Sequence, residues 1–193
     1  MAQKQINESA QMAVIGGSWG SLKIILAILE NLRNDFKISI LIVLHRNSDY
    51  KSKLTDLILY KSGKQVFEIE EKEPIKPGCI YLAPAGYHVL IEKNKTFSLD
   101  YSEKINFSRP SIDVAFKSAA IVYQQKLICI LLSGANSDGA DGMEFVEKYG
   151  GINIVQNPEE CEMPYMPLQA IKKNKIDFIY KSTEIADYLN KLL

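Results

Sequence analysis

The chain has 193 residues, 47% of them apolar, and its 23 Lys and Arg are matched by 23 Asp and Glu. That length suits one domain with a full hydrophobic core, and the neutral balance offers no basic patch for a nucleic-acid partner. No apolar run approaches the about 18 residues that span a bilayer, and the opening MAQKQINESAQ holds no signal-peptide core, so a cytoplasmic protein without membrane insertion is expected.

Residues 1–11 read as a polar tail, and the first predicted element is the strand MAVIGG (12–17). It leads into LKIILAILENL (22–32), whose apolar positions 22, 25, 26, 29 and 32 share one helical face. ISILIVL (38–44) is apolar at nearly every position, as a strand buried on both faces should be, and SKLTDLILY (52–60) is helical again. The stretch from Gln65 to Asp100 reads differently. Its charged segment EIEEKEPIKPG carries two prolines, and the short apolar runs CIYLA, HVLIE and TFSLDY follow, parted by turns. This predicts an insertion of antiparallel character. From Ser111 the alternation resumes with the helix SIDVAFKSAAIVY, the strand LICILL, the helix GMEFVEKY, the strand INIVQ, the helix PLQAIKK, the strand DFIY and a last helix through IADYLNKLL. Strands alternating with helices predict an α/β domain over 12–193, a doubly wound, mostly parallel sheet flanked by helices.

Such a sheet places ligand sites beyond the carboxyl ends of its strands. Those positions hold GGSWGS (16–21), His45-Arg46-Asn47, the stretch from Ser133 to Gly139, and Gln156 to Glu159. A serine, a histidine and an aspartate thus stand on three separate strand ends. Gly16-Gly17-Ser18-Trp19-Gly20 fits G-x-S-x-G, the strand-to-helix elbow that exposes a serine hydroxyl for attack. A serine hydroxyl needs a base to take its proton. His45 has the imidazole for that task, and Asp138 would fix its tautomer and stabilise the imidazolium. The Trp19 amide at the start of the helix is the expected oxyanion donor, with Gly17 allowing close approach.

Each residue also has a plainer reading. Ser18 could cap the helix, His45 could end its strand on a carbonyl, and Asp138 in NSDGADG suits a turn. GGSWGS could instead cradle phosphate in a dinucleotide site, although it lacks the P-loop lysine and the G-x-G-x-x-G spacing. His88 reads as a structural or rim residue, Glu159, Glu160 and Glu162 as loop acids able to orient a base, and the run from Glu68 to Glu73 as a solvated face. Tyr87, Arg46 and Arg109 are rim candidates or ordinary surface residues. Cys79, Cys129 and Cys161 lack CxxC spacing, and there are two histidines, so neither a disulfide framework nor a zinc site is suggested.

Six segments, in order, resemble the catalytic domain of CheB, the chemotaxis protein-glutamate methylesterase: VIGGSWGS, IVLHR, IKPGCIYLAPAGYHVLI, SRPSIDVAF, LLSGANSDGADGM and INIVQNPEECEMPYMPLQAI. The resemblance covers about residues 13 to 185. It implies a serine hydrolase with Ser18 as nucleophile, His45 as base and Asp138 as orienting acid, a chain order unlike that of α/β-hydrolases. It places Trp19 and Ala135 at the oxyanion site and requires no metal or organic cofactor. The implied substrates are glutamate γ-methyl esters, and some glutamines, on the cytoplasmic helices of methyl-accepting chemoreceptors. Two loops depart from the family pattern. Trp19 and Gly20-Ser21 replace a small hydroxyl residue and glycines, and Gly134-Ala135-Asn136 replaces Gly-Met-Gly. Family members commonly carry a receiver domain ahead of the catalytic one. With eleven residues before the first strand, either the domain is unregulated by that route, with a separate phosphorylation-dependent regulator a candidate partner, or the chain is a fragment. An esterase for another substrate, or a binding module without catalysis, would share these features.

Overall fold

Strand formation in this chain follows its unbroken apolar runs. In the computed structural model, which describes residues 10–46 and 53–192, β1 (Met12–Gly17) and β2 (Ser39–Leu44) are buried at every position. Most of the polar tail, together with Asn47, Ser52 and Leu193, lies outside the described residues. Between and after these strands come α1 (Ser21–Asn31), α2 (Leu54–Ser62), β3 (Val66–Glu68), β4 (Ile80–Leu82), β5 (His88–Ile91) and β6 (Phe97–Asp100). The second half contains α3 (Ile112–Tyr123), β7 (Leu127–Leu131), α4 (Ala140–Lys148), β8 (Ile152–Gln156), α5 (Tyr165–Lys173), β9 (Phe178–Tyr180) and α6 (Ser182–Asn190).

Seven strands pair in parallel in the order β3-β4-β2-β1-β7-β8-β9. Alternate residues serve opposite faces. Ile15, Ile42 and Ile130 pack under α1, α2 and α6, while Val14, Val43 and Cys129 pack under α3, α4 and α5. The chain leaves β1 for β2 on one side and later returns to β7 on the other. The ends of β1 and β7 therefore flank the topological switch point, where such sheets open a crevice, and the end of β2 lies next to that of β1.

The antiparallel insertion is smaller than the sequence predicts. Among the described residues only β5 and β6 form an antiparallel strand pair, and they make a separate two-stranded sheet. CIYLA instead supplies β4, which pairs in parallel with β2 through Ile40↔Ile80 and with β3 through Val66↔Ile80. Parallel strands are ordinarily joined by a helix. Here the link from β3 to β4 is the charged, proline-bearing loop, which conceals a core strand behind a turn-like sequence.

Candidate active site

Gly17 ends β1, and the next residue, Ser18, is tied by its backbone. Its amide donates to the Ser133 carbonyl at 2.9 Å, and its carbonyl accepts from the amide and hydroxyl of Ser21 at 3.1 and 2.6 Å. The Ser18 side chain does not cap α1. Gly20, at φ 79°, is the N-cap residue, and no side chain caps the first turn. Among the described residues the Ser18 hydroxyl makes no hydrogen bond, and neither do the amides of Trp19 and Ala135. Two glycines let the neighbouring loops close on this elbow. A Cβ on Gly20 would lie 2.7 Å from Cβ of Glu162, and one on Gly134 would lie 2.5 Å from Cε of Met166 and 3.1 Å from Cβ of Ser18. The Ser133 hydroxyl completes the seam, donating to the Trp19 carbonyl at 2.7 Å and accepting from the Met163 amide at 3.0 Å.

His45 follows β2, and its amide donates to the Gly17 carbonyl at 3.1 Å, so the histidine and serine strand ends are joined directly. Nε2 of His45 lies 2.8 Å from Oδ2 of Asp138, with the side chains 10% and 0% exposed. An ionised Asp138 only accepts, so Nε2 carries the proton and Nδ1 is the lone-pair nitrogen. Asp138 also accepts from the Ile112 amide at 2.7 Å, the Ser111 hydroxyl at 2.9 Å and the Asp113 amide at 3.1 Å. Burial alone would raise the Asp138 carboxyl. The hydrogen bond and charge of His45, with the Ile112 and Asp113 amides, hold it below its ordinary 3.8.

The hydroxyl on Nδ1 of His45 is that of Ser108, 3.1 Å away, and not that of Ser18. Ser108 closes a turn with Ile105, held by reciprocal backbone hydrogen bonds of 3.2 and 2.9 Å, with Asn106 and Phe107 both at positive φ. Asn136 donates to the Ser108 hydroxyl at 3.3 Å, and its Oδ1 accepts from the Asp138 amide at 3.2 Å. The sequence singled out neither Ser108 nor Asp113. A second acid in the first turn of a predicted helix was the one available cue, and it reads as ordinary helix chemistry.

The remaining candidates are engaged elsewhere. His88 is fully buried, its Nδ1 accepting from the Ser111 amide at 3.1 Å and its Nε2 donating to the Glu103 carbonyl at 2.9 Å, a structural role. Glu160 binds the Ser182 amide at 2.8 Å at the start of α6, and Glu162 accepts from the Trp19 indole at 2.9 Å. That bond leaves Trp19 65% exposed beside Ser18. Arg46 pairs with Glu68 and donates to the Ala83 carbonyl at 3.0 Å, while Arg109 stacks on Tyr101, which in turn meets Tyr87. Among the described residues no cluster of His, Cys, Asp and Glu could hold a metal ion, and the three cysteines are free thiols.

Comparison with known proteins assigns the chain to a family. The pattern of the CheB methylesterase family matches residues 13–189. A protein of Leptospira interrogans (strain Fiocruz L1-130), provisionally named a protein-glutamate methylesterase/protein-glutamine glutaminase, is 42% identical over 179 residues, 93% of each chain. A Thermotoga maritima protein of the same name is 32% identical over 188 residues, which cover 96% of this chain and 55% of that one. The crystal structure of the Thermotoga maritima CheB methylesterase catalytic domain superposes with a TM-score of 0.90 at 32% identity, covering 95% of this chain and 99% of that domain.

Proposed function

Since the chain belongs to the CheB methylesterase family, we propose that it is a cytoplasmic serine esterase that hydrolyses glutamate γ-methyl esters on chemoreceptor helices and deamidates glutamines there. The carrying observation is the His45–Asp138 pair, its acid fully buried, set beside a serine elbow whose hydroxyl has no partner among the described residues. Relatives named for both reactions support the substrate class. No helix among the described residues is long and apolar enough to cross a membrane, and three free thiols suit a reducing compartment.

In this reading Ser18 Oγ attacks the ester carbonyl while its proton passes to Nδ1 of His45. The Ser108 hydroxyl must first yield that nitrogen, and the Asn106 carbonyl, 3.4 Å from it, is an alternative acceptor. The imidazolium remains bonded through Nε2 to the charged Asp138. The Trp19 and Ala135 amides, uncommitted among the described residues, serve as the oxyanion donors in this reading, where one such donor is worth about 10²–10³ in rate. Collapse of the tetrahedral intermediate sends the proton from Nδ1 to the departing methoxide, releasing methanol. Water then attacks the acyl-Ser18 by the same route and leaves a free γ-carboxylate. For glutamine the leaving group is ammonia.

The test is methanol release from methylated chemoreceptor. Wild-type protein should release it, and Ser18→Ala should not. Well-folded wild-type protein that leaves the methyl groups in place would refute the reading.

A further inference from the structure

Helices α3 and α4 begin side by side, and neither first turn is capped by its own N-cap side chain. Each takes a carboxylate from the other instead. Asp138, just ahead of α4, accepts the Ile112 and Asp113 amides of α3 at 2.7 and 3.1 Å. Asp113, in the first turn of α3, accepts the Gly139 and Gly142 amides at the start of α4 at 2.9 and 2.6 Å. Gly142 permits this approach, because a Cβ there would lie 2.6 Å from Cβ of Phe116 and 3.2 Å from Cα of Asp113. Asn106 bridges the two acids, its Nδ2 lying 3.0 Å from Asp113 Oδ2 and 3.5 Å from Asp138 Oδ1.

We propose that Asp113 is a positioning residue of the active site: by holding the Gly139 amide, it fixes the backbone from which Asp138 reaches His45. Gly139 is the next residue after Asp138 and has φ 96°, so the direction of the Asp138 side chain depends on how that peptide is anchored. The anchor is Asp113 Oδ1, and the Asp113 amide in turn holds Asp138 Oδ1, which closes a ring of hydrogen bonds. The two acids divide the labour. Burial, and then the charge of Asp138, raise Asp113 to about 7, so below that pH the proton rests on Asp113 while Asp138 stays charged for the imidazole. The other charged groups around Asp113 are Lys117 on α3 and Lys173 on α5, the latter paired with Asp141 and Glu144. Accepting two amides does not require a charge, so an asparagine can replace the acid in this role.

The inference rests on the proposed triad, and its test reads the His45–Asp138 bond as well as turnover. In the full chain labelled with ¹⁵N-histidine, the His45 Nε2–H bonded to Asp138 is followed as a slowly exchanging downfield proton, assigned with His45→Gln. Asp113→Ala should lose this resonance and about tenfold in kcat, with KM within about twofold, as expected when a supporting residue slackens a site. Asp113→Asn should keep the resonance and recover most of kcat. Should the alanine variant fail to fold, Asp113→Ser, which also cannot reach Gly139, takes its place with the same expectation. A truncation that keeps both resonance and kcat, or an asparagine variant that falls as far as the truncation, overturns the proposal. If the wild type hydrolyses no ester, the functional reading fails, while the resonance still decides the positioning role.

Discussion

The hydroxyl of Ser108 lies 3.1 Å from Nδ1 of His45, on the imidazole nitrogen that Asp138 leaves free. Two serines therefore contend for one base. Ser108 sits in a turn closed on Ile105, with its own amide spent on the Ile105 carbonyl, whereas Ser18 precedes α1 and adjoins the uncommitted Trp19 amide. We expect Ser108→Ala to change kcat for ester hydrolysis by no more than about tenfold, the weight of one neutral hydrogen bond. Ser18→Ala should abolish turnover. Steady-state methanol release separates the two, and the reverse order of effects would make Ser108 the nucleophile.

Trp19 fastens its indole to Glu162 at 2.9 Å and still exposes most of its ring beside Ser18. Such a wall serves binding more than chemistry. Trp19→Ala should raise KM about five- to tenfold with a smaller change in kcat, as expected for a lost aromatic contact of about 1 kcal/mol. Because the side chain is exposed, Tm should move by less than about 2 °C. A collapse of kcat at constant KM would place the indole in the transition-state site.

Gly134 lies where a Cβ would press within 2.5 Å of Met166 Cε and 3.1 Å of Ser18 Cβ. Gly134→Ala should cost about 1–3 kcal/mol from overpacking, a fall in Tm of roughly 3–9 °C. It should also lower kcat by displacing Ser18. Thermal melts and kcat of the purified variant check both effects, and unchanged values would show that the Met166 side chain yields without disturbing the elbow.

The Asp113–Asp138 pair gives stability an unusual pH dependence. Asp113 keeps its proton in the folded protein up to about 7, while the unfolded chain releases it near the ordinary 3.8. Between those values the folded state binds more protons, so stability falls as pH rises through the window and levels off above it. Asp138 acts in the opposite sense. Its carboxyl is depressed on folding, so its contribution is full above 3.8 and disappears as pH drops through its lower folded value. Urea unfolding from about pH 4.5 to about pH 7.5 should show a decline in wild-type stability that Asp113→Asn largely removes. Equal slopes for the two proteins would contradict the assignment of the proton to Asp113.

The sheet could be read from the sequence wherever a strand was an unbroken apolar run, as at ISILIVL and INIVQ, because burial on both faces leaves no polar alternation. β4 escaped because its crossover from β3 contains no helix, only charged and proline-bearing loop. Ser18, His45 and Asp138 stand out because strand ends can be counted along the chain. Ser108, Asn106 and Asp113 do not, since their parts depend on how α3, α4 and the Ile105–Ser108 turn meet. Nothing in the spacing of SIDVAF tells that its aspartate accepts amides of a helix 26 and 29 residues further on.

Hydrolysis by this chain requires that His45 and Asp138 activate Ser18. Labelling with a serine-directed fluorophosphonate, read by intact mass and peptide mapping, tests it most directly. We expect a single adduct on Ser18, absent in Ser18→Ala and formed at least about a hundredfold more slowly in His45→Ala. An adduct on Ser108, or no adduct on well-folded protein, would contradict the claim.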